Sequence, residues 1–152
     1  MQGSLKSSSA EKMIDEYFGI SDADGIVLCD TGLCGGQACS VKLRNIKVIG
    51  VDTDNIHSSA ELRSVLSHEL GHCKTDCFYS IGANKQERYH AEYQANKWAI
   101  KFCVPFSDYL KAIKEGATDV CALSEYFDIT VDMARKVAEM YEDKLREVGD
   151  IA

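Results

Sequence analysis

The sequence has little proline and no long apolar run, and these shortages narrow the class of protein. Only one of the 152 residues is proline, which argues against a disordered or repetitive chain. No segment reaches the roughly 18 apolar residues that span a bilayer, and the first ten residues, "MQGSLKSSSA", lack the apolar core of a signal peptide. We therefore expect a globular, cytoplasmic protein that makes no membrane contact.

Basic residues are also in deficit, with 17 Lys and Arg against 24 Asp and Glu and a net charge of -7. Such a surface repels nucleic acid, so we expect no direct nucleic-acid binding. The segment "LSEYFDITVDMARKVAEMY" has the loose spacing of a helix-turn-helix, which makes a DNA-binding regulator one alternative. Residues 119–150 nevertheless carry nine acidic and four basic side chains, the opposite of what a recognition helix needs. We favour a packing or substrate-docking role for this segment.

The seven cysteines do not follow a familiar metal-binding pattern. They stand at positions 29, 34, 39, 73, 77, 103 and 121, and the gaps differ from the two-residue gap of zinc ribbons. An odd number without an export signal favours reduced thiols over a disulfide framework. The sequence leaves their role open.

The periodicity of the apolar residues predicts an α+β fold. A helical repeat (Met13, Ile14, Tyr17, Phe18) precedes a short strand, "GIVLCD", and a glycine-rich loop, "TGLCGGQAC". The segment "SVKLRNIKVIGVDTD" predicts one or two strands, with an antiparallel pair turning near Asn45. We expect a small N-terminal antiparallel or mixed sheet, followed by helices.

Five helical segments follow the strands. The first carries "RSVLSHELGHC" after a cap at Ser58 or Ser59, and the second, "QERYHAEYQANKWAIKFCV", ends near Pro105. The others are "SDYLKAIKEG", "VCALSEYF" and "TVDMARKVAEMYEDKLREV". We expect residues 1–105 to form a core, disordered over residues 1–10, with residues 106–152 as a C-terminal helical unit packed on it.

The segment "HELGH", residues 68–72, has the spacing of a metal-binding helix. His68 and His72 lie four positions apart, so both imidazoles project from one helical face and can reach one ion. Glu69 lies about 100° around the helix and can act as a general base on a water held at the metal. Two unsatisfied imidazoles on an otherwise apolar helix would be costly, which favours the metal site over an ordinary helix. We expect His57, just before this helix, to be a surface or capping residue, with a position lining the cleft as the alternative.

A catalytic zinc site needs a third protein ligand, and the second long helix offers candidates. Glu92 stands twenty positions after His72, which allows a loop and a returning antiparallel helix. Glu87 and His90 are rival third ligands on the same helix. The small residues Ala95 and Ala99 favour Glu92, because they let the two helices approach closely on its face.

Further side chains of this region have candidate supporting roles. Asn96 follows Glu92 by four residues and can orient a metal-bound histidine through its second ring nitrogen. A donor to the oxyanion of the substrate is also expected, and the sequence does not choose among its candidates: Tyr79, Tyr89, His90 and Tyr93. Trp98 and Phe102 have helical spacing and are expected in the core.

Together these segments resemble the ImmA/IrrE family of zinc metallopeptidases, which is similar to the gluzincins. The resemblance spans roughly residues 26–145 and is carried by "SHELGH" (67–72), "EYQANKWA" (92–99) and "FCVPF" around Pro105. It implies a zincin-like pair of active-site helices that binds Zn²⁺. By position, it makes His68, His72 and Glu92 the zinc ligands and Glu69 the base.

The resemblance also implies a substrate. Many members of the family act on, or are thought to act on, a helix-turn-helix repressor of a mobile element or stress response. The expected function is therefore a zinc-dependent endopeptidase with such a repressor as its partner. The alternative is a non-catalytic zinc-containing regulatory protein that binds a repressor without cleaving it, although Glu69 beside the ligands favours the enzyme.

Overall fold

A computed structural model of the protein describes residues 12, 13, 15–17, 19, 24–32 and 36–150. The disorder expected for residues 1–10, and the helical positions Ile14 and Phe18, lie outside this part of the chain. Residues 12, 13, 15–17 and 19 are helical, as their spacing predicts. The described cysteines form no disulfide with one another.

The first half of the protein contains a three-stranded mixed sheet made of β1 (Ile26–Asp30), β2 (Ala38–Leu43) and β3 (Ile46–Val51). Strand β3 is central, parallel to β1 and antiparallel to β2. The α+β class and the small sheet are therefore confirmed. The predicted hairpin is also found, since Leu43 pairs with Ile46 across a turn in which Arg44 has a φ of 57°.

One strand boundary differs from the prediction. Strand β2 begins at Ala38, inside the segment predicted as a glycine-rich loop. Ala38 pairs with Val51, and Cys39 pairs with Gly50 on the central strand. Pairing with β3 therefore adds Ala38 and Cys39 to the strand, although the local sequence there is typical of a loop.

The helices that follow are α1 (Ser59–Thr75), α2 (Lys85–Cys103), α3 (Phe106–Lys114), α4 (Val120–Phe127) and α5 (Val131–Asp150). Ser58 caps α1 by accepting a hydrogen bond from the backbone of Glu61 at 3.1 Å. At the start of α2, Asn84 and Glu87 form a capping box, each side chain accepting from the backbone N–H of the other. No helix in the described part of the chain combines the length and apolar character needed to cross a membrane.

Two apolar clusters hold these elements together. The first packs α1 on the sheet and includes Ile26, Ile49, Val51, Leu62, Leu66 and Leu70. The second joins the end of α2 to the last three helices and includes Ile100, Val104, Tyr109, Leu123, Val137 and Tyr141. Trp98 stacks on Phe102 with ring centroids 5.0 Å apart, and both pack on the first cluster, as expected for core residues.

Polar contacts fix the C-terminal helices to the rest of the chain. The backbone N–H of Thr130 donates to Ser64 Oγ on α1 at 3.0 Å. The hydroxyl of Tyr141 donates to the carbonyl of Val104 at 2.5 Å. The C-terminal helices therefore pack directly on α1 and α2. The division into two units at residue 105 stays a prediction.

Helices α1 and α2 run antiparallel and lie unusually close. Ala91, Ala95 and Ala99 are buried along the contact, as small residues must be for close approach. Opposite them is Gly71, where an added methyl group would lie 3.0 Å from the carbonyl carbon of Ala95 and overlap its oxygen. Position 71 therefore requires glycine, because any side chain there would collide with the backbone of Ala95.

Candidate metal centre

Helices α1 and α2 bring His68, His72 and Glu92 to one point. The Nε2 atom of His68 lies 3.0 Å from Glu92 Oε2, and the Nε2 atom of His72 lies 3.2 Å from Glu92 Oε1. The two Nε2 atoms are 3.2 Å apart. Within the described residues, these three side chains are the group of His, Cys, Asp and Glu whose ligand atoms could share a metal ion, all lying within 4.8 Å of one another.

Each imidazole is oriented by an acceptor on its other nitrogen. His68 donates from Nδ1 to Asn96 Oδ1 at 2.8 Å, and His72 donates from Nδ1 to the backbone carbonyl of Cys77 at 2.7 Å. With the ring proton on Nδ1, each neutral imidazole carries its lone pair on Nε2. Both lone pairs therefore face the carboxylate of Glu92 and each other.

The backbone at the end of α1 places the Cys77 carbonyl. Asp76 adopts a left-handed conformation, with φ at 54°, and the N–H of Cys77 then returns to the carbonyl of His72 at 3.1 Å. Lys42 donates to both carboxylate oxygens of Asp76, at 2.8 and 2.9 Å, and Lys47 lies 3.4 Å away. The hydrogen bond from Lys42 lowers the pKa of Asp76. Sequence analysis could not predict the hydrogen bond from His72 to the Cys77 carbonyl, because every residue has a backbone carbonyl.

The three side chains fit a divalent metal ion. Two imidazole lone pairs and a carboxylate that converge without a cation would repel one another. The separation of 3.2 Å between the two Nε2 atoms is close to the roughly 3.3 Å expected between two nitrogen ligands of a tetrahedral ion with bonds of about 2.05 Å. The structure thus brings together the residues predicted as ligands, and metal binding by them stays a prediction.

The rival third ligands lie elsewhere. Glu87 is part of the capping box at the start of α2, where its carboxylate accepts from the backbone of Asn84 at 3.1 Å. His90 is exposed to solvent and is not a member of the metal-ligand group. His57 is also exposed, as expected for a surface residue. Glu92 is therefore the residue of α2 that faces the two histidines.

Glu69 lies beside the cluster in an open cleft of about 600 Å³. His68, Glu92 and Asn96 line the same cleft. In the part of the chain that the structure describes, no hydrogen bond or ion pair involves the carboxylate of Glu69. Because Glu69 lines the open cleft, a water molecule or a substrate in the cleft can reach its carboxylate.

Comparison with known families agrees with this geometry. A model of the IrrE N-terminal-like domain, a peptidase family, matches residues 30–138. The chain belongs to this family. The match covers well over half of the chain and includes both helices of the cluster, so the protein contains a metallopeptidase-type domain. No curated protein and no solved structure matched the chain.

Among the candidate oxyanion donors of this IrrE-like domain, Tyr79 lies at the cluster. Its ring centroid is 6.2 Å from that of His72. Partial burial raises the pKa of Tyr79, and the negative charge of Glu92 raises it further. The phenol therefore keeps its proton and can donate it in a hydrogen bond. The guanidinium of Arg88 covers the ring at 5.8 Å and donates to the carbonyl of Ile81 at 2.8 Å, which holds the loop in place.

The other tyrosine candidates make their ring contacts with each other and not with the cluster. Tyr93 stacks on Tyr89 with ring centroids 6.3 Å apart, and the ammonium group of Lys97 lies 5.9 Å from the Tyr93 ring. All three tyrosines are exposed, Tyr79 at 45%, Tyr93 at 49% and Tyr89 at 72%, and none of them is among the residues that line the cleft containing Glu69. The ring contact with His72 therefore distinguishes Tyr79. Sequence spacing does not predict this contact, because Tyr79 lies in a loop without periodicity.

Proposed function

We propose that this protein is a zinc-dependent endopeptidase that cleaves a helix-turn-helix transcriptional repressor. The observation that carries the catalytic part is the convergence of two imidazole Nε2 atoms and the Glu92 carboxylate next to Glu69 in an open cleft. A structural metal site has no need for a carboxylate beside an open coordination position. Membership of a peptidase family supports the same conclusion.

Zinc is the metal that suits this donor set best. Two imidazoles with one carboxylate form a set used by zinc peptidases, which keeps a fourth position open. When bound, zinc supplies a Lewis acid that makes a water molecule more acidic and polarises the scissile carbonyl. His68, His72 and Glu92 would hold the ion, with Asn96 and the Cys77 carbonyl orienting the two rings.

The remaining steps belong to Glu69, which lines the cleft, and to Tyr79, which lies beside His72. Glu69 takes a proton from the attacking water and then passes it to the nitrogen of the leaving amine. The Tyr79 hydroxyl donates a hydrogen bond to the carbonyl oxygen as negative charge develops on it.

Replacement of Glu69 by Gln tests the catalytic role. The variant keeps the size of the side chain but cannot accept a proton, so we expect cleavage to fall by about 100-fold or more with unchanged zinc content. Zinc is measured by elemental analysis and cleavage by gel electrophoresis. Glu139→Gln, on the exposed side of α5, is the control. Wild-type cleavage by the Glu69→Gln variant would show that Glu69 is not the base.

The substrate part of the proposal rests on the resemblance to the ImmA/IrrE family. The test is a search of the neighbouring genes for a helix-turn-helix repressor, incubation of such a repressor with the protein, and mass spectrometry of the products. Two fragments that require Glu69 support the endopeptidase. An intact repressor in a stable complex would instead support a regulatory protein that binds without cleaving. Because repressors act on chromosomal DNA, we place the activity in the cytoplasm.

A further inference from the structure

We propose that helix α5 forms one wall of the substrate cleft, and that Val65, Ile100 and Met133 bind a large apolar side chain next to the scissile bond. This inference rests on the proposed peptidase function. It specifies the kind of substrate side chain that the same cleft accepts beside the cut. It gives the C-terminal helices a direct part in substrate selection.

The apolar part of the cleft begins beside the metal cluster. Val65 lies one helical turn before Glu69 on α1, and Ile100 lies one turn after Asn96 on α2, so each continues the face that carries the cluster. Met133 reaches the same cleft from α5. Ile100 and Met133 are 4% and 7% exposed, and both belong to the C-terminal apolar cluster, so this surface is a fixed floor.

Polar groups surround this floor. Ser64 and Thr130 line the cleft where α1 meets α5, and the hydrogen bond between them, at 3.0 Å, fixes the position of the wall. Further along α5, Asp132 and Lys136 line the rim and form an ion pair at 3.1 Å. An apolar floor within a polar rim is the usual composition of a site that binds an apolar group and leaves the backbone around it hydrated.

The length of the cleft indicates an extended substrate. Its lining on α1 runs from Glu61 to Glu69, a distance of about 12 Å at the helical rise of 1.5 Å per residue. An extended peptide covers this distance with about four residues, whereas a helix would present a cylinder about 10 Å wide. The preferred substrate is therefore an extended or locally unfolded segment with a bulky aliphatic or aromatic residue at the cut.

A peptide library tests this selection. Zinc-loaded wild type, Met133→Phe, Met133→Ala and the control Met140→Phe are each incubated with mixed peptides, and mass spectrometry identifies the residues beside each cut. Met140 lies seven residues after Met133 on α5, is partly buried, and does not line the cleft. We expect the wild type and Met140→Phe to prefer Leu, Phe and Met. Met133→Phe should shift the preference towards smaller residues by about 10-fold or more, and Met133→Ala towards larger ones.

A binding measurement separates this inference from the proposed function. Fluorescent decapeptides with a central Phe or a central Asp are titrated into Glu69→Gln, with and without Met133→Phe. Tighter binding of the Phe peptide that Met133→Phe abolishes supports the apolar site, even if the wild type cuts no peptide and the peptidase proposal fails. If the wild type cuts peptides but no Met133 variant changes the preference or the binding, the inference is wrong. Circular dichroism of each variant shows that it is folded.

Discussion

The two histidines of the cluster depend on different kinds of acceptor. His68 donates to the Asn96 side chain at 2.8 Å, whereas His72 donates to a backbone carbonyl at 2.7 Å. Only the first acceptor can be removed by substitution. Asn96→Leu should therefore weaken zinc binding by about 10- to 100-fold, because the His68 ring loses its fixed orientation and protonation. Competition with a fluorescent chelator measures the affinity. Asn96→Asp keeps an oxygen acceptor and should bind close to the wild type, so equal affinities of the Leu and Asp variants would contradict this role.

Replacement of Tyr79 should change the catalytic rate constant without changing substrate or zinc binding. Its ring lies beside that of His72, with centroids 6.2 Å apart, and its raised pKa keeps the hydroxyl protonated, so that it can donate a hydrogen bond. We expect Tyr79→Phe to lower kcat by about 100-fold, with little change in KM or zinc content. Steady-state kinetics on a cleaved peptide measure both constants. Tyr93→Phe, whose ring stacks on Tyr89, should behave as the wild type. A change in KM alone would show that Tyr79 binds substrate and does not stabilise the transition state.

At the residue scale, the sequence predicts the side-chain positions that follow from helical spacing, but not those that depend on the path of a loop. The spacing of His68 and His72 fixes their common face once the segment is helical, and the structure places both rings accordingly. The choice of Tyr79 over Tyr93 depends on the path of a loop, which no periodic pattern encodes. The Cys77 carbonyl depends on the left-handed conformation of Asp76. An aspartate in that position is compatible with many other backbone conformations.

At the level of elements, the contact between α1 and α2 determines which acidic residue of α2 lies next to the two histidines. Glu87, His90 and Glu92 all lie on α2, and local sequence alone does not separate them. The close approach of Gly71 to Ala95 fixes the rotation of α2, which turns Glu92 towards the histidines. The hairpin of β2 and β3 was predictable because its strands are consecutive. The parallel pairing of β1 with β3 is non-local, and the sequence pattern did not specify it.

Gly71→Ala tests that contact. Alanine favours a helix over glycine by about 1 kcal/mol, but its methyl group would overlap the Ala95 carbonyl, and neither backbone can yield easily. We expect the clash to dominate and to lower the free energy of unfolding by about 1–3 kcal/mol, with weaker zinc binding as Glu92 moves away. Urea denaturation measures the stability. Gly149→Ala, where an added Cβ meets nothing within 4 Å, should leave stability unchanged or slightly higher. Wild-type stability of Gly71→Ala would mean that the helices are further apart.

At the scale of the whole molecule, the cleft and the second apolar cluster both include residues from each side of the predicted boundary at residue 105. The cleft takes part of its lining from α5, and the second apolar cluster includes residues from both sides of that boundary. Sequence analysis could predict that the C-terminal helices pack on the core, because their apolar faces need a partner. It could not predict that Thr130 meets Ser64, since the two residues are 66 positions apart.

Tyr141 gives this long-range packing a measurable pH dependence. Its buried hydroxyl donates to the Val104 carbonyl at 2.5 Å, and burial raises its pKa from the usual 10.0 to about 12. Because the unfolded chain ionises first, the stabilisation is complete below about pH 10 and is lost as the pH rises towards 12.

Urea denaturation between pH 8 and pH 12 should show this fall in the free energy of unfolding. In Tyr141→Phe the free energy of unfolding should be lower by about 1–2 kcal/mol at pH 8, and its decline at high pH should be shallower. Tyr89→Phe, at an exposed ring, should follow the wild-type curve. Identical slopes for wild type and Tyr141→Phe would show that this hydroxyl does not link α5 to the end of α2.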